Sequence, residues 1–93
     1  MDTAFEWDPA KAQSNLVKHG VSFAEAASVF RDTMSVTVPD RAHSEREERF
    51  ITIGLSSRRR LLVIVHADPG ERIRIISVRR ATRRETRMYE EGN

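Results

Sequence analysis

The chain has 93 residues, 39% of them hydrophobic and 32% charged, which suits one globular domain with a modest core. It holds no cysteine, so disulfides and thiolate metal sites are excluded. It has no apolar run near the ~20 residues of a membrane span and no signal-peptide pattern at its start, so no membrane association and a cytoplasmic location are expected.

The net charge of +2 hides two unlike parts. Residues 1–56 carry 6 basic and 9 acidic side chains (−3), residues 57–93 carry 10 and 5 (+5), and all ten of those bases are arginine. Arginine pairs bidentately with phosphate and stacks on bases, so the distribution points to a polyanion, weighed against an ordinary arginine-rich solvated surface.

In chain order, Ala4–Trp7 reads as a short strand. Asp8-Pro9 starts a helix, with Asp as N-cap and Pro at the first helical position. It runs to about His19, and Gly20 sits where a left-handed cap belongs. Lys18 and His19 occupy the last turn, favourable to the helix dipole. Ser22 and Glu25 form a second capping pattern. Phe23, Ala26, Ala27 and Phe30 then make one apolar stripe on a helix ending near Arg31-Asp32.

Met34–Pro39 is strand-like, and residues 40–49 are a charged connector with no apolar face. Phe50–Leu55 is a strand, residues 56–60 a polar turn, and Leu61–Val65 an apolar run that predicts a central strand. Residues 67–70 form a turn. Arg72–Val78 alternates as a strand, and Thr82 to Glu85 opens a last helix to about Glu91. Only Ala81, Met88 and Tyr89 of that helix are apolar enough to pack, so it should be partly exposed and leave a sheet face edged by arginines. The expected fold is α+β: two N-terminal helices on an antiparallel sheet of about four strands, with a C-terminal helix, in a single domain over residues 1–93.

The three histidines have no metal-ligand spacing, and nucleotide-binding and nucleophile-elbow motifs are absent. No metal and no cofactor are expected. Cleavage of RNA needs less, because the substrate supplies its own nucleophile, the 2′-hydroxyl. The protein must hold the backbone in line, move two protons and stabilise charge on phosphorus. Arg74 and Arg79 on the last strand are the leading phosphate groups, the second beside a helix start that is itself an anion site. Arg60 and Arg49 begin neighbouring strands and are candidates to assist. The proton carriers come from Lys18, His19, His43, Glu48 and Tyr89. Each has a plainer reading: dipole partner for Lys18 and His19, loop residue for His43, ion pairing for Glu48, packing for Tyr89. Arg80 and Arg83 are expected to help RNA approach. Trp7 could stack on a base, with core packing the commoner use of a Trp.

An ordered set of residues carries a resemblance. Phe5–Ala12, Asn15, Lys18–Phe23, Asp40, His43-Ser44, Glu47–Arg49, Ile53-Gly54, Arg60–Leu62, Arg74–Ser77, Arg79, Ala81-Thr82 and Glu85 are similar to the BrnT family. Arg58-Arg59-Arg60 departs from the family's usual Gly-Arg turn, and Val78 stands where Ala is common. The resemblance implies a RelE-like ribonuclease toxin of a type II toxin–antitoxin system that arrests translation in the bacterial cytoplasm. It also implies a BrnA-like antitoxin that neutralises the toxin, contact with DNA only through that antitoxin, and a higher-order toxin–antitoxin complex. Alternatives from other classes are a non-catalytic RNA- or DNA-binding module and an antitoxin-binding interaction module.

Overall fold

Five strands make one mixed sheet; the computed structural model describes residues 3–92. The strands are β1 (Ala4–Glu6), β2 (Val36–Pro39), β3 (Arg49–Leu55), β4 (Leu61–Ala67) and β5 (Arg72–Arg80). Their spatial order is β1-β5-β4-β3-β2. β2 through β5 pair antiparallel, as short links require. β1 instead runs parallel to β5, with Ala4 opposite Arg72 and Glu6 opposite Arg74. The sheet is therefore mixed and five-stranded rather than antiparallel and four-stranded. The cause is the helical pair after β1, which carries the chain across one sheet face and returns it at the opposite edge.

The helices are α1 (Pro9–His19), α2 (Phe23–Ser28) and α3 (Arg83–Glu91). Asp8 Oδ1 accepts from the Ala10 and Lys11 N–H groups at 2.8 and 3.4 Å, and Gly20 closes α1 at φ 68°. Ser22 caps α2 by accepting from Glu25 N–H at 3.0 Å. α2 is shorter than its apolar stripe predicts, because the stripe passes into a 3-10 turn at Val29–Arg31. That turn seats Val29 against Gly54 of β3, where a Cβ would meet Val29 Cγ1 at 2.6 Å. Val21, Phe23, Ala26 and Val29 pack on Leu62, Ile64, Ile75 and Val78 to form the buried core. Each large aliphatic or aromatic side chain there contributes roughly 1.5–3 kcal/mol by burial.

Asn15 is the buried link between α1 and β5. β1 pairs only with Arg72–Arg74, so the rest of that β5 edge has no strand neighbour. The Asn15 side chain takes the place of one. Its Nδ2 donates to Val78 O at 2.9 Å and its Oδ1 accepts from Val78 N–H at 3.0 Å. The same Nδ2 also donates to Val21 O at 3.1 Å.

β5 carries a bulge. Val65 faces Ser77 and His66 faces Ile75, leaving Ile76 as the extra residue. Residues directly opposite across a ladder share a face. Ile75 and Val78 therefore both reach the helix side, while Arg74, Ser77 and Arg79 all lie on the other side. Strict alternation would have put Arg74 and Arg79 on opposite faces, five residues apart.

The second face is only partly covered. Ala81 N–H donates to Leu61 O at 3.0 Å, and α3 then crosses the sheet so that Tyr89 Oη donates to Asp32 Oδ2 at 2.7 Å and Gly92 lies by Val36. No residue of α3 is buried, and Met88, expected to pack, is exposed. Beyond the helix, Val38, Ile51, Val65 and Ser77 remain as an open row.

Candidate nucleic-acid site on the open sheet face

The open row ends at a rim of charged residues, and the 40–49 connector builds it. Asp40 N–H donates to Arg49 O at 2.8 Å, closing the connector into a loop. Ser44 Oγ donates to Asp40 O at 2.6 Å and accepts from Arg49 N–H at 3.0 Å, fixing the loop from inside. A 3-10 turn at Arg41–His43 then aims His43 outward. Asp40 is buried, and its carboxylate faces His43 Nδ1 at 3.1 and 3.2 Å. A carboxylate partner assigns the proton to Nδ1 and leaves the Nε2 lone pair outside. The imidazole is 69% exposed and lines a cavity of about 490 Å³ with Glu45, Arg46, Glu47 and Arg49.

Arg49 is under-paired at its Nε. Its Nε is 3.9 Å from Glu47 Oε1, beyond hydrogen-bond range. Among the described residues that buried N–H has no hydrogen-bond partner. Arg74 lies two strands away in the same row, across Ala67. Its Nε donates to Glu6 Oε2 at 2.9 Å and its Nη1 to Glu47 Oε2 at 3.1 Å. Glu6 first, with Glu47, holds the Arg74 guanidinium more firmly protonated than usual.

Arg79 sits at the other end of β5. Four ladder steps separate it from Arg74, roughly 13 Å at ~3.3 Å per residue. Its Nη1 and Nη2 each donate to Glu85 at 2.7 Å. Glu85 Oε1 also accepts from Thr82 N–H at 2.8 Å, and Thr82 Oγ1 from Glu85 N–H at 3.2 Å, completing the capping box of α3. The Arg79 hydrogen bonds, against the opposing effect of burial and with help from Thr82, draw the Glu85 carboxyl down from 4.5 to about 2. Arg74 and Arg79 thus share a face but do not form one cradle.

The remaining expected residues are dispersed. Arg60 is on the helix side, bound through Nε to Glu25 Oε2 at 2.9 Å and through Nη2 to Glu25 Oε1 and Gly20 O. Glu25 is buried and also accepts from Ser56 Oγ at 2.7 Å. Arg60 is the main reason its carboxyl lies below the ordinary range, with burial opposing. Arg60 therefore holds α2 to the turn before β4. Lys18 and His19 line a different cleft, between α1 and β5. Glu48 faces a small hollow beside Phe50 and Asp68, away from His43. Tyr89 binds Asp32, which raises its hydroxyl above the ordinary value. Arg80 and Arg83 are exposed. Trp7 is 37% exposed and packs edge-on against Phe23 at 6.0 Å.

Two members of the rim escaped the residue-by-residue reading. Asp40 is one, since nothing local marks it as buried. Glu47 is the other; counting back from Arg49 by the two-residue strand period selects Glu47 rather than Glu48. His66 also looks chemical. Its Nδ1 meets Asp68 Oδ1 at 2.8 Å and its Nε2 meets Thr52 Oγ1 at 2.7 Å. Thr52 is fully buried, however, and passes on to Thr37 at 2.7 Å, so the chain of bonds is a core network. Among the described residues no group of three His, Asp or Glu side chains could hold a metal ion, and no helix is long and apolar enough to cross a membrane.

The chain is thus a small α+β domain whose open sheet face carries a carboxylate-backed imidazole and guanidiniums along one rim. The family model for the ribonuclease toxin BrnT of type II toxin–antitoxin systems matches residues 7–85, and the chain belongs to that family. The crystal structure of the Brucella abortus ribonuclease toxin BrnT superposes with a TM-score of 0.68 at 24% identity, covering 88% of this chain and 100% of that one, which supports the fold. No curated protein sequence matches significantly. The family carries with it an RNA substrate and an antitoxin partner.

Proposed function

We propose that this toxin cleaves RNA without a metal ion, at the rim formed by His43, Glu47, Arg49 and Arg74. The observation that carries the reading is the Asp40–His43 pair opening onto the cavity beside Arg49. Asp40 fixes the tautomer, so His43 Nε2 takes the 2′-hydroxyl proton as that oxygen attacks phosphorus. Arg49, which lines the cavity beside His43, meets the charge that grows on the phosphoryl oxygens. Glu47 and Glu6 hold Arg74 as the second cation of the rim. Arg79, fastened to Glu85 at the far end of the face, binds a neighbouring stretch of backbone. As the 2′-oxygen bonds to phosphorus the P–O5′ bond breaks and the leaving 5′-oxygen takes a proton from solvent, so the products are a 2′,3′-cyclic phosphate and a 5′-hydroxyl.

The partner is a BrnA-like antitoxin that covers this face or its rim, and any DNA contact runs through that antitoxin in a higher-order complex. The setting is the cytoplasm, and residues 1–93 act as one toxin domain. The test is purified toxin with RNA in EDTA, products read by mass spectrometry. Cyclic phosphate ends are expected, with no cut at a 2′-deoxy position; cleavage that needs added divalent metal would overturn the proposal. A competing reading, a non-catalytic binding module, draws on the carboxylate pairing of Arg60, Arg74 and Arg79. Intact RNA recovered from every condition would select it.

A further inference from the structure

The arginines at the heart of the charged segment are neutralised by carboxylates, but the basic side chains of α1 are not. Lys11, Lys18 and His19 enter no ion pair and no side-chain hydrogen bond among the described residues. They fall at i, i+7 and i+8 of α1, on one side of the helix, and line a cleft of about 330 Å³ against Ile76 and Ser77 of β5. The Ser14 and Ser77 hydroxyls line the same cleft, and neither is engaged by another described residue. The cleft exists because β1 ends at Glu6, leaving the β5 edge beyond Arg74 with no strand beside it. Asn15 closes the floor by taking the Val78 backbone groups. The bulge at Ile76 turns Ser77 onto the open sheet face, in the same row as Val65. The cleft and the open face thus meet around one strand edge.

We infer that the α1–β5 cleft is a second RNA-backbone site, which holds single-stranded RNA by its phosphates through Lys11, Lys18 and His19 as the strand leaves the sheet face past Ser77. The inference rests on RNA being the substrate and adds where the flanking strand runs. Unpaired ammonium groups release counterions when they meet phosphates, whereas Arg60, Arg74 and Arg79 must first give up a carboxylate. The two serines add short donors suited to phosphate oxygens. Backbone contacts of this kind position the strand without reading its sequence.

The test measures binding of a long 2′-O-methyl single-stranded oligonucleotide, which the toxin cannot cleave, across salt concentrations. Each lost single-strand phosphate contact lowers the slope of log K against log salt by about 0.7. The Lys11→Gln/Lys18→Gln double variant should therefore lose about 1.4 from the slope, reducing the affinity ratio between about 50 and 200 mM salt roughly sevenfold. Ser14→Glu, which places an anion in the cleft without touching the core, should weaken binding as well. Lys11→Gln alone should raise KM for long RNA and leave kcat, and cleavage of a dinucleotide, as in the wild type. His43→Ala should keep the wild-type slope, so loss of cleavage and loss of this site are separable. A slope unchanged in the Lys11→Gln/Lys18→Gln variant together with an affinity unchanged in Ser14→Glu would overturn the inference, including the case in which those two variants lose antitoxin binding instead.

Discussion

Replacing Glu85 with glutamine separates the charge of the Arg79 pair from the cap of α3. Gln at this position still accepts from Thr82 N–H, since a capping box works with either residue. What is lost is the carboxylate facing Arg79. The folded-state value of about 2 against an ordinary 4.5 corresponds to at most about 3.4 kcal/mol. Arg79 is 42% exposed, so solvent screening brings the expected loss to about 1–2 kcal/mol. The carboxyl is depressed on folding, so its contribution is fully present above pH 4.5 and disappears as pH falls through about 2. Urea unfolding of wild type and Glu85→Gln should differ by that 1–2 kcal/mol near neutrality, and the two curves should converge toward pH 2. Glu25 and Asp32 are depressed in both proteins and cancel in the difference. A gap that stays constant from neutral to acid pH would refute the reasoning and assign the loss to packing or capping alone.

Asn15→Ala leaves the Val78 N–H and O and the Val21 O without their side-chain partner in a buried setting. At ~1–3 kcal/mol for a stranded buried group, a loss of about 3 kcal/mol is expected in denaturant unfolding, and less than about 1 kcal/mol would show that another group replaces it. Gly54→Ala forces a methyl onto Val29 and Ser35, so about 1–3 kcal/mol of destabilisation should appear as a lower Tm, with an unchanged Tm contradicting the close packing. Asp40→Asn keeps a polar group by His43 but removes the carboxylate that holds the Nδ1–H tautomer, so cleavage should slow about 10²–10⁴-fold on RNA with the fold intact by circular dichroism. Equal activity would remove Asp40 from the proton chain.

Helix starts and the end of α1 were plain in the sequence, because caps are local chemistry: Asp8-Pro9, Gly20, Ser22 and the Thr82–Glu85 box all act within four residues, whereas the early end of α2 at Ser28 was not. The central place of Leu61–Val65 was equally plain from its unbroken apolar run. The parallel docking of Ala4–Glu6 was not, since three residues carry no signal for a partner nearly seventy positions away. The bulge at Ile76 was also hidden, and it decides which side Arg79 takes. Arginine clustering in residues 57–93 points to Arg60, Arg74 and Arg79, yet the carboxylates that tie up Arg74 and Arg60 come from Glu6, Glu47 and Glu25, remote in sequence. For that reason the rim shifted toward Arg49 and His43, whose surroundings are set by a loop with no periodic pattern.

The most direct measurement is the single-turnover rate of RNA cleavage in EDTA for wild type and His43→Ala, with Arg49→Gln alongside. General acid–base catalysis by a positioned side chain contributes about 10²–10⁴-fold, so the histidine variant should slow by that factor while still binding RNA. Arg49→Gln should lose roughly 10²–10³-fold, the worth of one transition-state donor. Full cleavage rates in both variants would contradict the account and place the chemistry elsewhere on the sheet.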